Sequence, residues 1–278
     1  MADAAHIREV QRRARVMRHH IVNMIGYGAD KVGHLGGSNS CAEIVASLYF
    51  YKMRGAIDDP CRDRFLLSKG HAALVQYAAL AEAGVIDVAD LGKVKTLHSP
   101  LQGHPDRTKT PGVEANTGSL GQGLSIGVGI ALGQRMDRLD ARTYVLMGDG
   151  EISEGQIWEA ALCAAAYRLS NLVGILDQNR YQATGSVKER LDTGDLGAKF
   201  TAFGWRVIEL NGHSAREVCD ALDEADQTQN QPTLLLCHTV KGKGVCFAEN
   251  TAAFHNAGLT EQQFHQAHED IDRYSEEG

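Results

Sequence analysis

The sequence predicts an α/β fold with a mainly parallel sheet that carries helices on both faces. Two observations predict it. Several short runs of residues are largely apolar, so a strand formed by each run would be apolar on both faces. Segments with the period of a helix separate these runs. Strands that are buried on both faces and joined by helices are typical of parallel sheets. The predicted strands are TYVLM (143–147), NLVGIL (171–176), WRVIEL (205–210) and TLLLCH (233–238).

Helix-period patterning covers six segments. They are residues 6–27, 40–53, 70–84, 120–138, 155–169 and 214–228. No repeat, low-complexity tract or linker divides the chain, so we expect residues 1–278 to form a single domain. Two polar loops, 92–119 and 177–200, are longer than a plain connection requires, which is typical of functional loops.

Composition restricts the class of protein. The 278 residues are 43% hydrophobic, which is enough for a substantial core. The net charge of −7 argues against a nucleic-acid partner, because such proteins usually carry a basic stripe. The six cysteines form no CxxC pair, and no stretch approaches the about 18 apolar residues of a membrane helix. We therefore expect a soluble, cytoplasmic protein.

Polar side chains follow two of the predicted strands. Gly148-Asp149-Gly150 comes directly after TYVLM, and Asp177-Gln178-Asn179 comes directly after the next run, NLVGIL. Because the carboxyl ends of parallel strands meet at one edge, we expect Asp149 and Asn179 to lie close together. With a nearby backbone carbonyl they would form the partial oxygen shell that suits Mg²⁺. The alternative is that Gly148-Asp149-Gly150 is an ordinary turn and that Asn179 is an ordinary loop residue.

Four of the twelve histidines lie in polar loops beside glycines: His34, His71, His104 and His255. Their spacing fits no zinc template. Imidazole can donate or accept a proton near neutral pH, so these four are candidates for binding or catalysis. Surface or satisfied core positions are expected for His19, His20, His98, His265 and His268.

The motif GDGEISEGQIWEAALCAAAYRLSNLVGILDQNRY resembles the thiamine-diphosphate motif of the transketolase family. The segments DRFLLSKGHAALVQYAALAEAG, QGHPD, TPGVEANTGSLGQGLSIGVGIALG and TVKGKGVCFAENTAAFHN resemble that family too, so the similarity spans residues 10–258. It implies the thiamine-diphosphate-binding fold, with thiamine diphosphate and Mg²⁺, or Ca²⁺ or Mn²⁺ in its place.

The resemblance also implies roles for individual residues. Asp149 and Asn179 would bind the cation by side chain and Tyr181 by its backbone carbonyl, while the Gly150 amide touches the diphosphate. Glu154 would lie near the subunit interface that joins two active sites, next to the cofactor.

The loop motifs carry further roles by resemblance. His71 and His255 would bind the diphosphate, and His34, His104 and His255 would act on the substrate. LGQGLSIG nearly spells a dinucleotide fingerprint, but no strand precedes it. We interpret it as the entry to a helix, with Gly118 and Leu120 lining the cofactor.

Transketolases also need a pyrimidine-binding domain, which supplies an activating glutamate and which we do not find in this sequence. We therefore expect a C-terminal partner subunit, in an α2β2 heterotetramer, and sugar phosphate substrates. The implied activity moves a two-carbon ketol unit from a ketose to an aldose, as in pentose phosphate metabolism. Alternatives are the same chemistry on a sulfo-sugar or branched ketose, the α subunit of a 2-oxo-acid dehydrogenase, and a non-catalytic cofactor-binding module.

Overall fold

A five-stranded parallel sheet forms the centre of the computed structural model, which describes residues 2–28 and 30–277, the last three by backbone alone. The strands are β1 (Val32–Gly33), β2 (Arg64–Leu67), β3 (Thr143–Gly148), β4 (Leu172–Gln178), β5 (Tyr181–Gln182), β6 (Gly185–Ser186), β7 (Arg206–Asn211), β8 (Thr233–His238) and β9 (Ala257–Gly258). The central sheet has the order β2-β3-β4-β8-β7, and two short antiparallel pairs, β1-β9 and β5-β6, lie outside it.

Helices cover both faces of this sheet, which confirms the predicted fold class. They are α1 (Ala4–Tyr27), α2 (Leu35–Asn39), α3 (Ala42–Ser47), α4 (Ala73–Glu82), α5 (Gln122–Met136), α6 (Gly155–Ala166), α7 (Val187–Leu191), α8 (Leu196–Ala202), α9 (Ala215–Asp226) and α10 (Glu261–Glu277). The six predicted helices are all present. The one predicted over 40–53 consists of α3 and a π-helical turn, Leu48–Lys52.

Several elements were not predicted from the sequence. The edge strand β2 was missed because its apolar run is only a few residues long and stands directly before a helix-period segment. The helix α10 was missed because it is mostly polar and buries only a narrow stripe that includes Ala267 and Ile271. The loop predicted over 177–200 contains the short hairpin β5-β6 and the helix α7, and its end enters α8.

The sheet separates the core into two layers. Along β3, Tyr144 and Leu146 point into one layer and Val145 and Met147 into the other, as the two-residue period of a strand requires. The first layer packs against α1, α3, α4, α9 and α10, and the second against α5, α6 and α8. Full burial of each such side chain contributes about 1.5–3 kcal/mol, so both faces hold the sheet firmly.

The register brings the carboxyl ends of three strands level. Gly148 of β3 pairs with Asp177 of β4, and Asp177 pairs with Cys237 of β8. The loops that leave these strands therefore start side by side, which places the two predicted polar motifs at one edge of the sheet.

All six cysteines are free thiols, and Cys41, Cys219 and Cys237 are buried. None of the helices within the described residues is long and apolar enough to cross a membrane.

Candidate functional site

A cavity of about 310 Å³ opens at the carboxyl edge of the sheet. It brings together most of the residues that the sequence singled out. Those in its lining are His71, Gly118, Leu120, Asp149, Gly150, Asn179, Tyr181 and His255. They come from five separate loops, so the site forms only when the sheet aligns its strand ends.

Asp149 leaves β3 at the bottom of this cavity and is 3% exposed. One carboxylate oxygen accepts a hydrogen bond from the Gly150 amide at 2.8 Å, and the other accepts one from the Arg180 amide. Burial and the nearby Asp177 carboxylate raise the pKa of Asp149 to about 7. The carboxylate thus lies in a place that favours an added positive charge.

Asp177 fixes the position of Asn179. It is completely buried, and its carboxylate accepts hydrogen bonds from Ser40 Oγ at 2.7 Å, Asn179 Nδ2 at 2.8 Å, Thr239 Oγ1 and Lys69 Nζ. Because the Asn179 amide nitrogen is held this way, its carbonyl oxygen faces the opposite direction and accepts from the Tyr181 amide at 3.1 Å. Burial alone would raise the pKa of Asp177. The nearby Lys69 ammonium outweighs this effect, so the pKa lies below its usual value.

Lys241 adds a buried positive charge to the cavity wall and is 1% exposed. Its ammonium donates to the Tyr181 carbonyl oxygen at 3.1 Å and lies 2.8 Å from His255 Nδ1. Burial and the Lys69 charge lower its pKa to about 8. A carbonyl oxygen has two lone pairs, so the contact with Lys241 leaves Tyr181 able to accept a second partner.

Glu151 joins three of the loops around the cavity. Its carboxylate accepts from Ser68 Oγ, from the Gly121 amide at 2.9 Å and from the Gly148 amide at 3.1 Å. Burial raises the pKa of this carboxyl above its usual value. Removal of Glu151 would leave buried donors unpaired in three segments at once, so it supports the cavity that it also helps to line.

The four loop histidines form one cluster. The ring centroid of His34 lies 5.3 Å from that of His71, 5.2 Å from that of His255 and 6.3 Å from that of His104. Burial, reinforced by neighbouring positive charges, lowers the pKa of His34 to about 3 and that of His255 to about 4. Burial also lowers the pKa of His71, and the partial burial of the His104 ring lowers its pKa too. These imidazoles are therefore neutral at pH 7 and can each donate and accept a hydrogen bond.

Only two of these four histidines line the cavity. His71 and His255 line the cavity, whereas His34 and His104 lie beyond its lining and His104 is exposed. The cluster thus extends from the carboxylate end of the cavity toward the surface.

Gly118 allows the loop before α5 to pass close to His104. Its φ of 134° lies in a region that side chains rarely adopt, and a Cβ there would lie 2.7 Å from His104 Cδ2. The chain then turns into α5 at Gln122, with no strand before it, as predicted for this helix entry.

Glu154 lies outside the cavity lining and is exposed at the start of α6. Its role at a subunit interface stays a prediction.

Five other histidines have structural or surface positions. His19 Nε2 lies 3.0 Å from Asp272 Oδ1, and His20 Nε2 lies 3.0 Å from Glu82 Oε1. His268 stacks on His19, while His98 and His265 are exposed.

Sequence reasoning missed four residues of the site: Lys69, Glu151, Asp177 and Lys241. Asp177 stands at the end of an apolar run, where the pattern marks it only as the last residue of a strand. A charged residue that ends or follows an apolar strand is the signal that could have identified it.

Comparison with known proteins agrees with this geometry. The transketolase family model, described as the thiamine diphosphate binding domain, matches residues 11–274. One subunit of the apulose-4-phosphate transketolase of Phocaeicola vulgatus is 43% identical over 85% of this chain and 85% of its own length. The 6-deoxy-6-sulfo-D-fructose transketolase subunit SqwG of a Clostridium species is 40% identical over 95% of this chain and 97% of its own.

Longer proteins match over part of their length. Human transketolase is 40% identical over 86% of this chain but only 38% of its own length. A crystal structure of a Pichia stipitis transketolase mutant superposes with a TM-score of 0.86 at 34% identity, and it covers 93% of this chain and 40% of the longer one. The similarity to these proteins in sequence and fold confirms the predicted family. The chain belongs to the transketolase family and carries its thiamine diphosphate binding domain.

Proposed function

We propose that this chain is the diphosphate-binding subunit of a two-subunit transketolase, which moves a two-carbon ketol unit from a ketose to an aldose. One observation carries the proposal: Asp149, Asn179 and Tyr181 line the same cavity as Lys241 and two neutral histidines. Oxygen ligands for a hard cation and hydrogen-bond donors for a phosphate, one of them positively charged, are thus present in one place.

The residues fit a divalent cation. Asp149 would bind it by its carboxylate, Asn179 by its side-chain oxygen and Tyr181 by its backbone carbonyl. The raised pKa of the Asp149 carboxyl, to about 7, supports this role, because a nearby cation would stabilise its ionised form. Mg²⁺ suits such a set, since it takes few protein ligands and completes its shell with phosphate oxygens and water. Ca²⁺ or Mn²⁺ could bind the same oxygens.

The residues also fit a diphosphate. The Lys241 ammonium, the Gly150 amide and the rings of His71 and His255 would donate to phosphate oxygens, with Gly118 and Leu120 as the opposite wall. Thiamine diphosphate, when bound, supplies stabilisation of a carbanion at the reacting carbon. The protein's contribution from this chain is to anchor the diphosphate end.

His34 and His104 would contact the hydroxyl groups of the sugar. Both lie beside the cavity rather than in its lining, and both have lowered pKa values. A neutral imidazole can donate a hydrogen bond to one sugar oxygen and accept one from another, so these rings can orient the substrate and take part in its proton transfers. His255, which lies between the diphosphate end and His34, would take part in both tasks.

We propose that the partner is a C-terminal transketolase subunit, in an α2β2 assembly with the present chain as a single diphosphate-binding domain. The relatives named as subunits match this chain over most of their own length, whereas human transketolase matches over 38% of its length. The exposed Glu154 precedes α6 and the exposed Leu162 lies on it, so this helix offers a surface for another subunit.

A second candidate concerns the sugar. Two similar proteins are named for apulose 4-phosphate and for 6-deoxy-6-sulfo-D-fructose. A branched or sulfonated ketose is therefore a donor to test beside xylulose 5-phosphate and fructose 6-phosphate, which appear with transketolases in solved structures.

Reconstitution tests the proposal. The chain would be purified alone and with the product of a neighbouring gene that encodes a pyrimidine-binding subunit, and each sample would be assayed for ketol transfer from the four ketoses. We expect transfer only from the complex, with one donor clearly preferred. Robust transfer by the chain alone would refute the two-subunit model. A cofactor-loaded complex that transfers from none of the donors would favour a binding module.

A further inference from the structure

A second cavity, of about 700 Å³, lies between α1, the start of α9 and Tyr274 of α10. We call it the arginine cavity, because its lining holds five arginines: Arg8, Arg12, Arg15, Arg18 and Arg216. Glu43 is its only acidic lining residue within the described part of the chain. A concentration of positive charge in a chain with a net charge of −7 calls for a physical explanation.

Three of these arginines have acidic partners. Arg18 is buried and holds Glu43 with two bonds, from Nη1 at 2.5 Å and Nη2 at 2.7 Å. Arg12 pairs with Glu9 and Arg15 with Asp272. These two acids lie outside the lining, so they do not place negative charge inside the cavity.

Arg8 and Arg216 have no such partner. Neither side chain makes a hydrogen bond or an ion pair with any described residue, and both side chains are exposed at the rim of the cavity. They stand on different helices, α1 and α9, and border the same cavity. Two exposed guanidinium groups that border one cavity from different helices can approach one anion together.

We propose that the arginine cavity binds a small phosphorylated anion. Guanidinium groups match phosphate oxygens with two parallel hydrogen bonds, which makes arginine the preferred residue for phosphate recognition. The volume lies within the range of small-molecule sites, about 300–1,000 Å³. Ile7 and Tyr274 add apolar surface for the organic part of a phosphate ester.

The arginine cavity is distinct from the cofactor cavity, since the two share no lining residue. The residues around the two cavities are nevertheless connected by hydrogen bonds. His213 Nε2 accepts a hydrogen bond from the Val240 amide at 2.8 Å, and Arg18 Nε donates to the Lys243 carbonyl at 3.2 Å. Lys241 of the cofactor cavity lies between these two anchored residues. Substitution of Arg18 or His213 would therefore disturb both cavities, and the rim arginines are the better test.

Inorganic pyrophosphate is the probe. It would be titrated calorimetrically, at constant ionic strength, into the full chain in complex with its partner, for the wild type, Arg8→Ala and Arg216→Ala. Lys188→Ala is the matched control, because it removes one exposed positive charge outside both cavities. Asp149→Ala is included because pyrophosphate can also enter the cofactor cavity.

We expect Arg8→Ala and Arg216→Ala each to weaken one binding event by about tenfold or more, as for the loss of a charge-assisted hydrogen bond. Lys188→Ala and Asp149→Ala should leave that event unchanged. The proposal is overturned if the two rim variants bind like the wild type, or if Lys188→Ala weakens binding as much as they do. Loss of the event in Asp149→Ala would also overturn it, because the anion would then belong to the cofactor cavity. Thermal unfolding of each variant checks that the fold is intact.

Discussion

Asp177 organises the cofactor cavity at the scale of single residues. It touches four side chains from four segments, and one of these contacts orients the amide of Asn179. Glu151 does the equivalent work for the backbone of Gly121 and Gly148. The groups that would meet a ligand are therefore held in place by buried carboxylates. A site built this way is rigid before any ligand arrives.

Gly118→Ala should lower the free energy of unfolding by about 1–3 kcal/mol, because the backbone angle and the contact with His104 both oppose a Cβ. Gly129→Ala is the control. Gly129 lies exposed within α5, and no atom stands within 4 Å of its would-be Cβ, so alanine should raise stability by about 0.5–1 kcal/mol. Urea unfolding of both variants measures the difference. Equal unfolding free energies for the two variants would show that a Cβ at Gly118 causes no strain.

Glu43 should make the protein sensitive to acid. Although burial opposes ionisation, Arg18 and His213 lower the pKa of its carboxyl from 4.5 to about 2. Because the folded-state pKa is the lower one, the stabilisation is complete above pH 4.5 and is lost as the pH falls toward 2. It amounts to roughly 3 kcal/mol.

The measurement compares the wild type with Glu43→Gln by urea unfolding at several pH values. The difference in unfolding free energy should be largest near pH 7 and should shrink below pH 4.5. A difference that stays constant down to pH 3 would show that the charge of Glu43 does not contribute.

The residues of the site were predictable to different degrees. Asp149 and Asn179 could be predicted to lie together, since each follows an apolar run and parallel strands align their carboxyl ends. Lys69 and Lys241 could not, because nothing local distinguishes a buried lysine from a solvated one. Their burial depends on contacts with Asp177 and Tyr181, which lie far away in the sequence.

The secondary-structure elements were also predictable to different degrees. β3, β4, β7 and β8 were predicted because their apolar runs are long enough to stand out. α10 was not, because a helix that packs on one side of α1 needs only a narrow apolar stripe. Its position is set by the pairing of His19 with His268 at 2.7 Å and by the packing of Ile271, both of which appear only in three dimensions.

Ile271→Ala tests how firmly α10 is attached. Ile271 is completely buried in the first core layer, so its truncation should cost about 2–5 kcal/mol of unfolding free energy. Gln262→Ala, an exposed position on the same helix, should change stability by no more than about 0.5 kcal/mol. If urea unfolding shows equal effects, α10 does not form part of the core.

At the scale of the whole molecule, the carboxyl edge of the sheet and its two faces have different roles. The carboxyl edge gathers the loops of the cofactor cavity. The two faces are closed by helices, and the first layer carries the arginine cavity on its outer side. The fold class and the family could be predicted from the sequence, because they rest on local patterns and motifs. The arginine cavity could not, because α1 and α9 are distant in sequence and meet only through packing.

The most direct test of the account is the binding of thiamine diphosphate to the complex of this chain with its partner, measured by calorimetry with Mg²⁺ and with a chelator. We expect binding that requires Mg²⁺ in the wild type and in Asp58→Ala, whose exposed carboxylate lies before β2 and outside the cavity. Asp149→Ala should lose this binding by at least about a hundredfold, as for the loss of a charged ligand group. Unaltered, Mg²⁺-dependent binding in Asp149→Ala would contradict the assignment of the site.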